Sequence, residues 1–204
     1  ALQNGYGMTE TTAGVTLTVN PPGVPDVSVG PPLPGVELRL RERGPDGVGE
    51  IQTRGPHVTP GYFRNAEATA ALFDADGFLC SGDLGRIDAA RNLHIAGRSR
   101  ELIIRGGFNV YPPEVEAALN EHPAVVQSAV IGRSLPGGNE EVLAFCQLAA
   151  PGAVGEAELS AFVAARLSPY KRPSRIVCAD SLPAAPTGKI LKTRLIEVFA
   201  AALA

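Results

Sequence analysis

The first hundred residues contain short runs in which apolar and polar side chains alternate, a pattern typical of half-buried β-strands. These runs predict strands at 15–19, 36–40, 50–53, 78–80, 84–87 and 93–95. Turn residues Gly44-Pro-Asp-Gly47 separate the second and third runs, so those two runs predict a hairpin. Asn65 is a suitable N-cap for one short helix that reaches Phe73. Nine of the residues in 20–36 are Pro or Gly, which predicts a connecting loop.

After residue 98 the pattern changes to strands that alternate with helices. It predicts strands at 102–105, 125–131, 142–148 and 175–178 and helices at 112–121, 156–167 and 190–204. Pro112-Pro113 can open the first helix, because proline lacks only a donor that has no partner in the first turn. This change of pattern places a domain junction near residues 98–101 and indicates an α+β chain.

Composition excludes several classes of protein. Apolar residues make up 45% of the 204 residues and charged residues 19%, as in globular rather than disordered chains. The net charge of −3 argues against a nucleic-acid-binding module. No run approaches the roughly 18 apolar residues of a membrane span. Three cysteines without a CxxC pair predict neither a disulfide framework nor a zinc site, and they favour a reducing compartment, the cytoplasm.

The segment Gly5-Tyr-Gly-Met-Thr-Glu10 is the first candidate for chemistry. Its glycines would let the backbone approach a ligand closely, while Thr9 and Glu10 supply a hydroxyl and a metal-binding carboxylate. A plain turn with a capping threonine explains this segment equally well.

A second candidate is Cys80-Ser-Gly-Asp83, which is followed by Gly97-Arg98. An aspartate after a tight glycine turn is suited to vicinal hydroxyls, because a carboxylate can accept two hydrogen bonds from a diol. An Asx-turn is the structural alternative.

The third candidate is Pro186-Thr-Gly-Lys189, a tip that presents a positive charge able to stabilise a phosphoryl group. It is not a P-loop, because position 183 is Pro and Ile follows Lys189. A solvated surface lysine is the alternative. Glu114 and Glu116 are two residues apart on a helix and share no face, so we expect them to be solvated or capping.

Taken in order, these motifs are far more specific than any one alone. GYGMTE, VGPPLPGVELR, GEIQTRG, GYFRN, SGDLGRID, GRSRELIIRGGFNVYPPEVE and PTGKILKTRL together resemble the adenylate-forming superfamily, and within it bacterial acyl- and aryl-CoA synthetases. The resemblance covers essentially the whole chain. It implies that residues 1–98 end a large domain with a β-rich, barrel-like subdomain, and that residues 101–204 form a small α+β lid domain.

The resemblance also implies roles for the first motif. Tyr6 would stack on adenine, with Gly7 beside it in the nucleotide site. Thr9 would contact phosphate, and Glu10 would help to hold Mg²⁺.

Further roles follow along the chain. Asp83 would bind the ribose hydroxyls, with Arg98 supporting ribose and phosphate, and Lys189 would be the adenylation lysine. Gly106 and Gly107 would line the pantetheine tunnel. Arg100 stands at the hinge position, where the family usually has Asp or Lys.

The implied activity is ATP-dependent activation of a small carboxylic acid through an acyl-AMP, followed by transfer to coenzyme A. The family's Ser/Thr/Gly-rich phosphate loop and most of its large N-terminal domain have no counterpart here. We therefore expect a C-terminal part of a longer enzyme, with the missing N-terminal part as its partner and no activity in isolation; a homodimer is also compatible.

Two alternatives remain open. An adenylation domain could transfer its acyl group to a carrier protein, although only 15 residues follow Lys189 and ILKTRL is more typical of CoA synthetases. The chain could also be a non-catalytic fragment or nucleotide-binding module.

Overall fold

The structure, a computed structural model, describes residues 2–21 and 23–203. It divides into two compact units, residues 1–100 and 101–204. Both units combine small β-sheets with a few short helices, which confirms the predicted α+β class. Within the described residues, no helix has the length and apolar character required to cross a bilayer.

The first unit is built mainly of β-strands. Its elements are β1 (Gly5–Tyr6), β2 (Thr16–Leu17), β3 (Glu37–Arg41), β4 (Gly49–Arg54), α1 (Ala66–Leu72), β5 (Leu79–Ile87) and β6 (Leu93–Arg98). Strands β3 to β6 form a four-stranded antiparallel sheet in sequence order, and β1 pairs with β2 in a separate ribbon. The predicted β3–β4 hairpin is confirmed, with Arg41 opposite Glu50. The predicted N-cap is also confirmed, because the Asn65 side chain accepts a hydrogen bond from the Ala68 N–H at 3.0 Å.

One prediction in this unit was wrong. Residues 78–80 and 84–87 are not separate strands around a tight turn, because β5 continues through Ser81, Gly82 and Asp83. Cys80 pairs with Gln52 and Leu84 with Glu50, so these three residues bulge opposite Ile51 alone. The Ser81 hydroxyl donates to the Ile51 carbonyl at 2.6 Å and ties the bulge to its neighbour.

The second unit surrounds a three-stranded sheet. Its elements are β7 (Ile103–Arg105), β8 (Phe108–Val110), α2 (Pro112–Asn120), β9 (Val125–Ser134), β10 (Glu140–Leu148), α3 (Glu156–Ala164), β11 (Arg175–Ala179), α4 (Leu195–Val198) and α5 (Ala200–Leu203). Central β10 is antiparallel to β9 and parallel to β11, while β7 and β8 form a hairpin whose second strand was not predicted.

Strand β10 is buried on both faces. Val142, Ala144 and Cys146 pack in the same core as α2 and α3, whereas Leu143 and Phe145 pack against C-terminal residues that include Leu195. A strand covered on both sides needs apolar residues in succession rather than in alternation, which is the pattern of Val142–Cys146.

The two helices near the C-terminus are shorter than predicted. Helix α3 ends at Ala164 instead of 167, and the Arg172 guanidinium donates to the carbonyls of Ala164 and Leu167 at its end. The predicted helix 190–204 is broken into a 3₁₀ turn at Lys192–Arg194, α4 and α5, and its last residue lies outside the described range. Its start is delayed because the Leu191 N–H donates to the Pro183 carbonyl at 2.8 Å, which keeps this backbone extended.

The expectation that Glu114 and Glu116 are solvated or capping was wrong for Glu116. Its Oε1 accepts hydrogen bonds from the Val130 N–H and from Lys192 Nζ, each at 2.8 Å, and its side chain is 18% exposed. Lys192 Nζ also lies 3.1 Å from Glu101 Oε2. Glu114 instead forms an ion pair with Lys171, with its side chain 43% exposed.

We predict that Glu116→Ala lowers the free energy of unfolding by about 1–3 kcal/mol, because it leaves the Val130 N–H and the Lys192 ammonium without their shared acceptor. Glu114→Ala is the matched control, since an exposed ion pair is worth at most about 1 kcal/mol. Urea unfolding of both variants measures the difference, and equal losses would contradict this account.

Candidate active site

The turn after β1 presents Thr9 and Glu10. It is a 3₁₀ turn, Thr9–Thr11, closed by the Thr11 hydroxyl, which donates to the Met8 carbonyl at 2.9 Å and accepts from the Met8 N–H at 3.0 Å. Thr9 is exposed and Glu10 half-buried. The backbone of this turn is held, the Thr9 side chain is open to a ligand, and the Glu10 carboxylate keeps one oxygen without a hydrogen bond to any described residue.

Gly7 has an internal reason to be glycine. A Cβ at Gly7 would lie 1.6 Å from the Ala13 carbonyl oxygen. Glycine was expected here to let the backbone approach a ligand, but it is already required for the close contact between Gly7 and Ala13. The Val15 N–H donates to the Tyr6 carbonyl at 2.8 Å on the same ribbon.

The β5 bulge supplies the opposite side of the site. Gly82 has a φ of +70°, which favours glycine, and its N–H donates to Glu50 Oε1 at 3.2 Å. The Asp83 N–H donates to the Ser81 hydroxyl at 3.1 Å. These bonds orient the Asp83 side chain without using its carboxylate.

The Asp83 carboxylate is shared between two partners. The Tyr6 hydroxyl donates to Asp83 Oδ2 at 2.8 Å, and Arg98 Nε lies 3.2 Å from Asp83 Oδ1. Burial raises the pKa of the Tyr6 phenol well above its usual value, and the Asp83 hydrogen bond and negative charge add to the rise. The side chain of Asp83 is only 14% exposed, and its pairing with Arg98 offsets the cost of that burial.

An open cavity of about 470 Å³ lies between the turn and the bulge. It is lined by Gly7, Met8, Thr9, Glu10, Ser81, Gly82, Asp83, Arg98, Ser99 and Arg100. The structure therefore brings together the candidates of the first unit: six line the cavity, and Tyr6 is bonded to one of them. Hydroxyls, carboxylates and guanidinium groups around one opening suit a ligand with both hydroxyl and phosphate groups.

Glu10 fits the Mg²⁺ role that the sequence suggests. No group of three or more His, Cys, Asp or Glu in residues 2–21 and 23–203 could hold a metal by itself. Mg²⁺ usually takes only one or two protein carboxylates and completes its coordination with substrate phosphates and water. One carboxylate beside an exposed threonine hydroxyl is compatible with that demand.

Sequence reasoning missed Tyr62. Its hydroxyl donates to Glu10 Oε1 at 2.6 Å, across 52 positions of sequence. The motif GYFRN contains it, but nothing in the local pattern indicates that contact.

Gly106 and Gly107 lie in the second unit, at the turn of the β7–β8 hairpin. Both have positive φ, +59° and +80°, as a two-residue hairpin turn of this type requires. The Gly106 N–H donates to Asn139 Oδ1 at 2.7 Å, and a Cβ at either glycine would meet nothing within 4 Å. The turn is thus fixed from one side and open on the other.

Lys189 occupies the tip of another turn in the second unit. The Ala185 N–H donates to the Lys189 carbonyl and the Gly188 N–H to the Ala185 carbonyl, each at 2.8 Å. The Lys189 side chain is exposed and forms no hydrogen bond or ion pair with any described residue, whereas Lys171 and Lys192 are both paired with glutamates. Its ammonium is available to an outside anion.

Two family models match the chain, one of AMP-binding enzymes over residues 1–63 and one of the AMP-binding enzyme C-terminal domain over residues 114–189. The long-chain-fatty-acid–CoA ligase of Bacillus subtilis is 39% identical over 96% of this chain. The 2-succinylbenzoate–CoA ligase of Bacillus velezensis is 38% identical over 95%. The chain belongs to the adenylate-forming superfamily.

Solved structures of adenylate-forming enzymes match as well. ATP-bound MatB of Rhodopseudomonas palustris gives a TM-score of 0.85 with 37% identity, covering 98% of this chain and 41% of that one. The MenE o-succinylbenzoate CoA synthetase of B. subtilis, in complex with ATP and magnesium, gives 0.83 with 34% identity, covering 95% and 41%. Our chain spans only 36% and 40% of the two curated relatives.

We predict that Gly7→Ala distorts the Thr9–Thr11 turn of this adenylate-forming chain and lowers the free energy of unfolding by about 1–3 kcal/mol, the usual cost of overpacking. Gly14→Ala is the control, because its new Cβ would meet only the end of the Leu33 side chain, at 3.1 Å. Urea unfolding compares them, and a variant at Gly7 as stable as the control would refute the clash.

A second prediction concerns alkaline pH. The folded state keeps the Tyr6 phenol protonated where the unfolded state ionises it, so this contribution to stability is complete below about pH 10 and is lost as the pH rises further. Tyr6→Phe should therefore make the fall of unfolding free energy with pH less steep between about pH 10 and pH 11. Denaturant unfolding across that range is the measurement; an unchanged slope would show that Tyr6 is not the group responsible.

Proposed function

We propose that the chain is part of an ATP-dependent carboxylate–CoA ligase, which forms an acyl-AMP and then an acyl-CoA thioester. The observation that carries this proposal is the cavity at which Thr9, Glu10, Asp83 and Arg98 converge. Both curated relatives described above are CoA ligases by name, and related solved structures hold ATP, AMP or an acyl-adenylate.

In the adenylation step, an oxygen of a small carboxylic acid attacks the α-phosphorus of ATP, and the bond to pyrophosphate breaks. Asp83 binds the ribose hydroxyls, since each of its oxygens keeps a lone pair beyond those used by Tyr6 and Arg98. Tyr6 and Gly7 border the adenine, and the Thr9 hydroxyl donates to a phosphate oxygen.

Two anions meet in this step, so cations must offset their repulsion. Glu10 would hold Mg²⁺, which supplies positive charge to the phosphates when bound. The exposed ammonium of Lys189 supplies the second positive charge, and Arg98 the third, at the ribose and phosphate.

In the second step the thiol of coenzyme A attacks the acyl carbon, and the bond to AMP breaks. The open face of the Gly106-Gly107 turn would admit the pantetheine arm. Arg100, the last residue of the first unit, would act as the hinge about which the lid domain rotates between the two half-reactions. The cysteine pattern of the sequence, three residues without a CxxC pair, favours a reducing compartment such as the cytoplasm for this chemistry.

We predict that Lys189→Ala lowers the rate of acid-dependent ATP–pyrophosphate exchange by about 10²- to 10³-fold, the usual cost of removing one charge-stabilising donor. The measurement uses the full-length protein that contains this chain. Lys171→Ala removes a lysine that is already paired with Glu114 and serves as the control, which should keep the wild-type rate. Unchanged exchange in the Lys189 variant would remove this lysine from the mechanism.

A further inference from the structure

The Glu10 carboxylate is held by one residue from a distant loop. The Tyr62 hydroxyl occupies Glu10 Oε1, and Oε2 forms no hydrogen bond with any described residue. The backbone of Glu10 is fixed from the same loop, because its carbonyl accepts the Thr59 N–H at 2.8 Å. This loop therefore holds the Glu10 backbone through Thr59 and one of the two Glu10 carboxylate oxygens through Tyr62.

Tyr62 itself is tightly placed. Its N–H donates to the Thr69 hydroxyl at 2.9 Å, and its carbonyl accepts the Asn65 N–H at 3.2 Å. The Thr69 hydroxyl in turn donates to the Asn65 carbonyl at 2.7 Å. Gly61, the residue before Tyr62, has a φ of +144°, and a Cβ at Gly61 would lie 2.4 Å from Thr69 Cγ2. These contacts fix the backbone of Tyr62, while the residue is 41% exposed and its hydroxyl is held by Glu10.

The number of carboxylate oxygens on offer matters to a divalent cation. Mg²⁺ requires near-ideal octahedral geometry and suits a carboxylate that contributes one oxygen. Ca²⁺ accepts six to eight oxygens in flexible geometry and readily takes both oxygens of a carboxylate. The Tyr62 hydroxyl uses one lone pair of Glu10 Oε1, whereas Oε2 has no hydrogen bond with any described residue, so coordination through Oε2 alone is favoured over coordination through both oxygens.

We propose that Tyr62 is a positioning residue that makes the nucleotide site prefer Mg²⁺ to Ca²⁺, by keeping one oxygen of Glu10 engaged. This inference rests on the proposed function, in which Glu10 holds the metal. Tyr62 is not among the residues that line the cavity, so we expect it to act on the choice of ion through Glu10.

The test uses the full-length protein that contains this chain. Calorimetry measures its dissociation constant for ATP, once with Mg²⁺ and once with Ca²⁺ as the divalent cation. Tyr62→Phe keeps the ring and removes the hydroxyl. We expect it to lower the preference for Mg²⁺ over Ca²⁺ by about three- to tenfold, the range that corresponds to one lost hydrogen bond. Bound Mn²⁺, observed by electron paramagnetic resonance with ATP present, gives an independent signature of the altered ligand.

Two further variants make the result specific. Phe63→Leu changes the neighbouring side chain, which is 88% exposed, and should keep the wild-type preference. Tyr62→Phe added to Glu10→Gln should change nothing further, because the hydroxyl acts only through Glu10. A wild-type ion preference in Tyr62→Phe, or a further change on the Glu10→Gln background, would overturn the proposal.

A failure of the proposed function can be distinguished from a failure of the Tyr62 proposal. If Glu10→Gln binds ATP in Mg²⁺ as tightly as the wild type, Glu10 is not a metal ligand and the role of Tyr62 falls with it. Pyrophosphate exchange reports on the ligase reaction itself and remains a separate measurement.

Discussion

The first unit depends on one partly buried carboxylate, that of Asp83. One oxygen accepts a hydrogen bond from the Tyr6 hydroxyl on the β1–β2 ribbon, and the other pairs with the Arg98 guanidinium on the last strand of the sheet. The same contacts that offset the cost of burying this charge therefore hold the ribbon against the sheet. The cavity exists because that join leaves the Thr9–Thr11 turn facing the β5 bulge.

Backbone constraints explain why the site can carry so many exposed polar groups. Gly7 allows the ribbon to close on Ala13, and Gly82 allows β5 to bulge opposite Ile51. These internal contacts hold the backbone, so the hydroxyl of Thr9 does not have to stabilise its own turn and is left for a ligand. A site held by backbone and neighbouring side chains loses less entropy when it binds.

In the second unit, ion pairs distinguish the lysines that stabilise the fold from the lysine that is open to a ligand. Lys192 forms ion pairs with Glu116 and Glu101, and Lys171 forms one with Glu114. Lys189 has no such partner among the described residues, and only its backbone is fixed. An ammonium without a protein partner on an ordered turn is available to an incoming anion, which is the property that the proposed adenylation step requires.

Local chemistry in the sequence was enough to determine the β3–β4 hairpin, the Asn65 cap, the helix that opens at Pro112 and the α+β class, because alternation, turn residues and caps act over a few positions. The order of motifs was enough to indicate the family. Only the tertiary structure decided that β5 runs unbroken through its bulge, that the last helix breaks, that Glu116 is a half-buried acceptor and that Tyr62 holds Glu10. Each of these depends on hydrogen bonds between segments far apart in sequence, whose partners are chosen by packing rather than by neighbouring residues.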